Sequence, residues 1–127
     1  MFAFAFAGIA AAGEMNGIPR ISLSGSLSAE GSTATVTGTT RTVSVPVGNS
    51  GDIRFESVIT DGGGNVQYSK NGGAFTTLAS NDVVNFADTD TLQMRTTLLG
   101  VGQGGSAQVR DVSNGGLITA VSINRTS

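Results

Sequence analysis

The sequence predicts an all-β chain: a two-sheet sandwich of immunoglobulin or fibronectin type with an extended N-terminal arm. Three observations carry this prediction. Apolar and polar residues alternate with period two in short stretches, the spacing at which a strand turns one set of side chains to each face. The stretches recur about every 8–12 residues with turn signals between them, the rhythm of sandwiches and barrels. The composition suits pleats and tight turns, with 19 Gly, 14 Ser and 15 Thr in 127 residues. Thr and Val pack well on a pleated surface, and Gly supplies turns that need positive φ. No segment sustains an apolar period of 3.6 residues.

The N-terminal segment Met1-Phe-Ala-Phe-Ala-Phe-Ala-Gly-Ile-Ala-Ala-Ala-Gly13 is apolar throughout. It is shorter than the roughly 20 residues of a membrane-spanning helix. It also lacks the positive start of a secretory leader, since the first cation is Arg20. As an extended strand it sets Phe2, Phe4 and Phe6 on one face and Ala3, Ala5 and Ala7 on the other. Each buried ring contributes about 1.5–3 kcal/mol. The expectation is therefore an arm that buries Phe2, Phe4, Phe6 and Ile9 against partner subunits, in a homo-oligomer or larger assembly. Packing within its own domain and a membrane or leader role are the competing expectations. Gly13 to Arg20, with Asn16, Gly17 and Pro19, reads as a linker. Residues 1–20 are thus arm and linker, and 21–127 the sandwich.

Within the sandwich, Ile21, Leu23 and Leu27 alternate with Ser22, Ser24 and Ser26, and Ala34 and Val36 with Thr33, Thr35 and Thr37. Val43, Val45 and Val47 share one face of a strand that Pro46 places at an edge or an end, because proline cannot donate to the ladder. After the turn at Gly48–Gly51, Ile53 and Phe55 face inward with Ser57 and Ile59 continuing their phase, while Arg54 and Glu56 face out. Another turn follows at Asp61–Gly64. Val66 and Tyr68 then lead into Asn71-Gly72, a hairpin signature because a type I′ turn needs positive φ at both central residues. Phe75, Leu78, Val84 and Phe86 follow, then Leu92, Met94, Thr96 and Leu98 on one face. Gly100–Gly105 reads as a flexible loop. Ala107 and Val109 precede Ser113-Asn-Gly-Gly116, read as a second hairpin of the same type, and Leu117, Thr119, Val121 and Ile123 close the domain.

Composition excludes much chemistry. The chain has no Cys and no His, so disulfides, thiolate metal sites, imidazole bases and Ser-His-Asp triads are unavailable. With 7 Lys+Arg against 9 Asp+Glu the net charge is −2, and the cations to neutralise a phosphate backbone are lacking. No nucleic-acid, membrane or cofactor partner is expected. Gly100, Gly102 and Gly105 match G-x-G-x-x-G, but the following residues alternate like a strand instead of opening a helix. Asp82, Asn85, Asp88 and Asp90 gather oxygen donors of the kind calcium takes. They lack the EF-hand spacing, and the stronger expectation is that Asp88 and Asp90 shape a corner. No pair of acids stands out for acid–base catalysis, and no enzyme is expected.

A resemblance adds to this reading. Val66-Gln-Tyr-Ser-Lys-Asn-Gly-Gly-Ala-Phe-Thr-Thr-Leu78, then Val83-Val-Asn-Phe86, Asp88-Thr-Asp-Thr-Leu-Gln-Met-Arg95 and Ala107-Gln-Val-Arg-Asp111 resemble the Ig-like β-sandwich modules of tailed-phage virion proteins. The Phe-Ala arm lies outside that pattern. The resemblance implies a structural protein located in the virion, with the major capsid protein or other virion subunits as partners, and a head decoration (cement) role is the leading expectation. The alternatives are a tail- or fibre-associated module binding host-surface glycan, and a bacterial surface or filament subunit.

Overall fold

The computed structural model describes residues 17–127, and the arm residues Phe2, Phe4, Phe6 and Ile9 lie outside them. The described residues form two β-sheets and no helix. Eleven strands follow one another: β1 (Ser22–Leu23), β2 (Ala29–Gly31), β3 (Val36–Thr37), β4 (Arg41–Ser44), β5 (Asp52–Thr60), β6 (Asn65–Lys70), β7 (Thr76–Thr77), β8 (Asp82–Asn85), β9 (Thr91–Thr97), β10 (Gly104–Asp111) and β11 (Leu117–Arg125). One sheet runs β1-β4-β9-β6-β7, with β3 also on β9; the other runs β2-β11-β10-β5-β8.

Several strands are pieces of longer ones. β3 and β4 lie along the same partner, pairing with Arg95–Thr96 and Thr91–Leu92 of β9. β1 and β2 are one opening strand that changes sheets, pairing first antiparallel with β4 and then parallel with β11. So joined, β1-β4-β9-β6 and β11-β10-β5 follow the strand order of the two immunoglobulin sheets. β8 departs from it, lying beside β5 although it follows β6 and β7 in sequence. The core fills the space between the sheets with Ile53, Phe55, Phe86, Leu92, Met94, Val109, Val121 and Ile123 among others, all buried. Gly51 marks one close approach: its φ is +83, and a Cβ there would sit 2.0 Å from the Phe86 carbonyl oxygen.

The inward phase departs from the sequence pattern at five places, each with a local cause. Opposite Ala107 of β10 the partner strand holds both Ser57 and Val58, a bulge with Ser57 at φ 50. It turns Val58 to the core and leaves Ile59 58% exposed. A second bulge puts Ile118 between the pairs Val109–Thr119 and Arg110–Leu117. Ile118 thereby packs on the core, and Leu117 lies at the surface. Leu98 has φ 58 and is exposed, so Leu99 is buried in its stead. Val47 is 98% exposed because β4 has already ended at Ser44, ahead of Pro46. Ala34 is also exposed, in the connection before β3.

The Asn71-Gly72 hairpin forms as expected, with φ of 54 and 72 and the Gly73 N–H donating to Lys70 O at 3.1 Å. The second turn does not share its type. Only Gly115 has positive φ, at 84, and the loop closes between Asp111 and Gly116. In Gly100–Gly105 the last two glycines belong to β10, and the rest is a tight turn with the Gln103 N–H on Gly100 O at 3.0 Å.

Candidate functional site

The linker reaches the sandwich at a buried polar cluster. Asp111 ends β10 and is 0% exposed. A buried carboxylate is costly unless hydrogen bonds replace its water. Here Oδ2 accepts the Ile21 N–H at 2.9 Å and Asn49 Nδ2 at 2.8 Å, and Oδ1 accepts the Asn114 N–H at 3.0 Å.

Asn114, also 0% exposed, donates its Nδ2 to the Ile18 carbonyl and accepts the Gly116 N–H on Oδ1 at 3.0 Å. The Asn49 Nδ2 donates to Pro19 O at 2.9 Å as well, and its Oδ1 accepts the Gly51 N–H at 2.9 Å. Arg20 Nη1 donates to Leu117 O at 2.8 Å. Ile18, Pro19, Arg20 and Ile21 are thus each tied to the sandwich, and the Ile21 side chain enters the core. What reads as a linker is, from Ile18 on, a fixed base from which residues 1–16 continue.

The sequence reading missed Asp111, Asn114 and Asn49 as a group. Asn49 and Asn114 each look like ordinary turn residues, and only the fold brings them to Asp111.

The arm residues Phe2, Phe4, Phe6 and Ile9 are not among those described. The acidic corner is described, and each of its three aspartates accepts a backbone N–H. Asp82 Oδ2 accepts the Ala79 N–H at 2.8 Å, Asp88 Oδ1 the Val45 N–H at 2.9 Å, and Asp90 Oδ2 the Ala87 N–H at 2.8 Å. Asn85 donates instead to Ser50 O and to Asp52 Oδ1. No group of three or more acids gathers as a metal site among the described residues.

Asp90 also takes a hydrogen bond from Asn71 and faces Lys70 at 3.8 Å. The Ala87 N–H first, then the Asn71 amide and the Lys70 charge, hold its carboxyl below the ordinary value. On β5, Glu56 lies between Arg110 at 2.9 Å and Arg54 at 3.5 Å. The Arg110 hydrogen bond is the main cause of its lowered pKa.

Among the described residues, aromatic surface is sparse. Phe55 and Phe86 are buried, Tyr68 stacks on Phe55 with centroids 5.8 Å apart, and the Arg95 guanidinium covers Phe75 at 3.9 Å. A groove of about 530 Å³ opens between β1 and the start of β11, with Arg20 at its rim.

No protein-family model, curated protein or solved structure matches this chain.

Proposed function

We propose that this chain is a structural virion protein of a tailed phage, a capsid decoration protein that holds neighbouring subunits together through its N-terminal arm. The fixed base at Ile18–Ile21 carries this reading. A buried carboxylate and two buried or half-buried amides hold Ile18, Pro19 and Ile21, and Arg20 adds its own bond to Leu117 O, which makes sense where the segment beyond them transmits a pull. That segment is the Phe-Ala alternation, which would bury three rings on a neighbour. The hairpin and strand motifs that resemble phage Ig-like modules supply the virion context. Mechanically, apolar surface buried across subunit joints raises the work needed to part them. A glycan-binding module is less well supported, since sugar sites want uncovered aromatic platforms.

The test is co-sedimentation with expanded capsids. The full-length chain should bind and raise the temperature at which capsids rupture, and a chain lacking residues 1–16 should do neither. Equal binding by both chains would remove the arm from the mechanism, and glycan-array binding retained without the arm would favour the tail module.

A further inference from the structure

We infer that the groove between β1 and the first half of β11 receives the Phe-Ala arm of a second copy of this chain as an added strand. The inference rests on the reading of the arm as the attachment device and names its receiver. The groove exists because the opening strand changes sheets. β2 pairs in parallel with Ile123–Arg125, and that register continued backward would set residues 24–28 beside 118–122. Instead the Ser24 N–H donates to Thr42 O at 3.0 Å, and Ser22 and Leu23 pair with Ser44 and Val43. Among the described residues, no strand flanks β11 on that side before Ile123. One strand's worth of space is left, about 530 Å³, lined by Leu23 and Ile118 where they pack on the core.

The vacant edge is capped at its two ends, and between them Thr119 Oγ1 donates locally, to the Ala120 carbonyl at 3.2 Å. Arg20 takes the Leu117 carbonyl, and Ser28 Oγ accepts the Ser122 N–H at 2.9 Å. Between these caps Ile118–Val121 span about 13 Å of edge. Strand addition suits such a site: backbone bonds supply affinity, and pockets for alternate side chains supply specificity. Phe2, Phe4 and Phe6 have that period, with only methyl groups between them.

The occupant is a second copy because of where the chain's own arm starts. Ile18–Ile21 are pinned at the groove's end, and Arg20 bridges from the linker to Leu117 there. To fill the groove, the chain's own arm would have to turn back within the ten residues between Phe6 and Gly17 and pass its own bridge. The residues before Gly17 reach about 50 Å when extended, enough to meet a neighbouring domain. Arm into groove is a head-to-tail contact, which closes into a ring or runs on as a chain of subunits.

The chain has no Cys, so crosslinking tests this directly on the full-length protein. Ala3→Cys, Ala5→Cys or Ala7→Cys keeps all three rings. Each is mixed with separately purified Ala120→Cys, whose site on β11 is exposed, and oxidised. Non-reducing electrophoresis should show a covalent dimer at least tenfold above that formed with Thr77→Cys, an exposed control on β7. No excess at any arm position overturns the inference. So does a doubly substituted chain that closes only on itself as a monomer. Capsid co-sedimentation separates the two levels. If crosslinks are absent but removing residues 1–16 abolishes capsid binding, the groove fails and the attachment reading stands. If crosslinks form while arm removal leaves capsid binding intact, the groove is supported and the attachment reading fails.

Discussion

Two turns in this chain carry the same Asn-Gly dipeptide and are built on different principles. Asn71-Gly72 closes a hairpin with both residues at positive φ, and the exposed Asn71 side chain reaches the start of β9, accepting the Thr91 N–H at 2.8 Å and donating to Asp90 at 3.0 Å. Asn114-Gly115 closes a wider loop in which only the glycine is left-handed, and Asn114 is buried with its amide on Ile18, 96 positions away in sequence. The local preference of Asn and Gly for turns is the same in both. What differs is the buried carboxylate beside the second one, which turns a loop residue into a long-range fastener.

The contrast is broken most severely at its centre. Asp111→Ala would leave the Ile21 N–H, the Asn114 N–H and one Asn49 bond without their acceptor in a buried site. At about 1–3 kcal/mol for each buried group left unpaired, the expected loss is at least about 3 kcal/mol, read from urea or thermal unfolding. A loss under about 1 kcal/mol would mean that water replaces the carboxylate and that the cluster is not a sealed fastener.

Substituting glycine at the two asparagines sharpens the comparison. Asn71→Gly keeps the backbone comfortable at positive φ and removes only exposed side-chain bonds, so a change within about 1 kcal/mol is expected. Asn114→Gly removes one buried and one partly buried bond, from the Gly116 N–H to Oδ1 and from Nδ2 to the Ile18 carbonyl, for about 2 kcal/mol. It should also free the linker, so that trypsin cuts after Arg20 faster in Asn114→Gly than in the parent, while Asn71→Gly is cut at the parent rate. Equal behaviour of the two variants would erase the distinction.

The same pair shows where sequence reading works and where it stops. The Asn71 hairpin, the end of β4 ahead of Pro46 and the two-sheet architecture are legible because each depends on neighbours within a few residues or on simple alternation. Bulges are another matter. A shift at Ser57 or Ile118 is set by the partner strand, and neither Ser57 nor Leu98 belongs to a type that advertises positive φ. The inward phase beyond those points therefore slips by one residue without any local sign. The polar cluster needs Asn49, Asp111 and Asn114 together, and only the pairing of β5 with β10 brings their segments to one end of the sandwich. The sheet change of the opening strand, which creates the groove, is hidden for the same reason: Ser24, Gly25 and Ser26 would alternate acceptably in either sheet.

The smallest effect separates the two turns by pH. Asp90 has its carboxyl pKa held below 3.8 by the Ala87 N–H, Asn71 and Lys70. A group that binds its proton less readily folded than unfolded contributes stability above its unfolded value and loses it as pH falls through the folded one. The hairpin contribution should therefore be intact above about pH 4 and decline below 3.8, and Asp90→Asn should remove that part of the decline. Nuclear magnetic resonance can follow it while the chain stays folded. The Asn71 Nδ2 protons should shift as Asp90 titrates, because they donate to its carboxylate. Those of Asn114 donate to the Ile18 carbonyl, so Asp90→Asn should leave their pH response unchanged. If Asp90→Asn altered the response of both amides, the hairpin and the fastener would be parts of one network, and the two turns would not be independent devices.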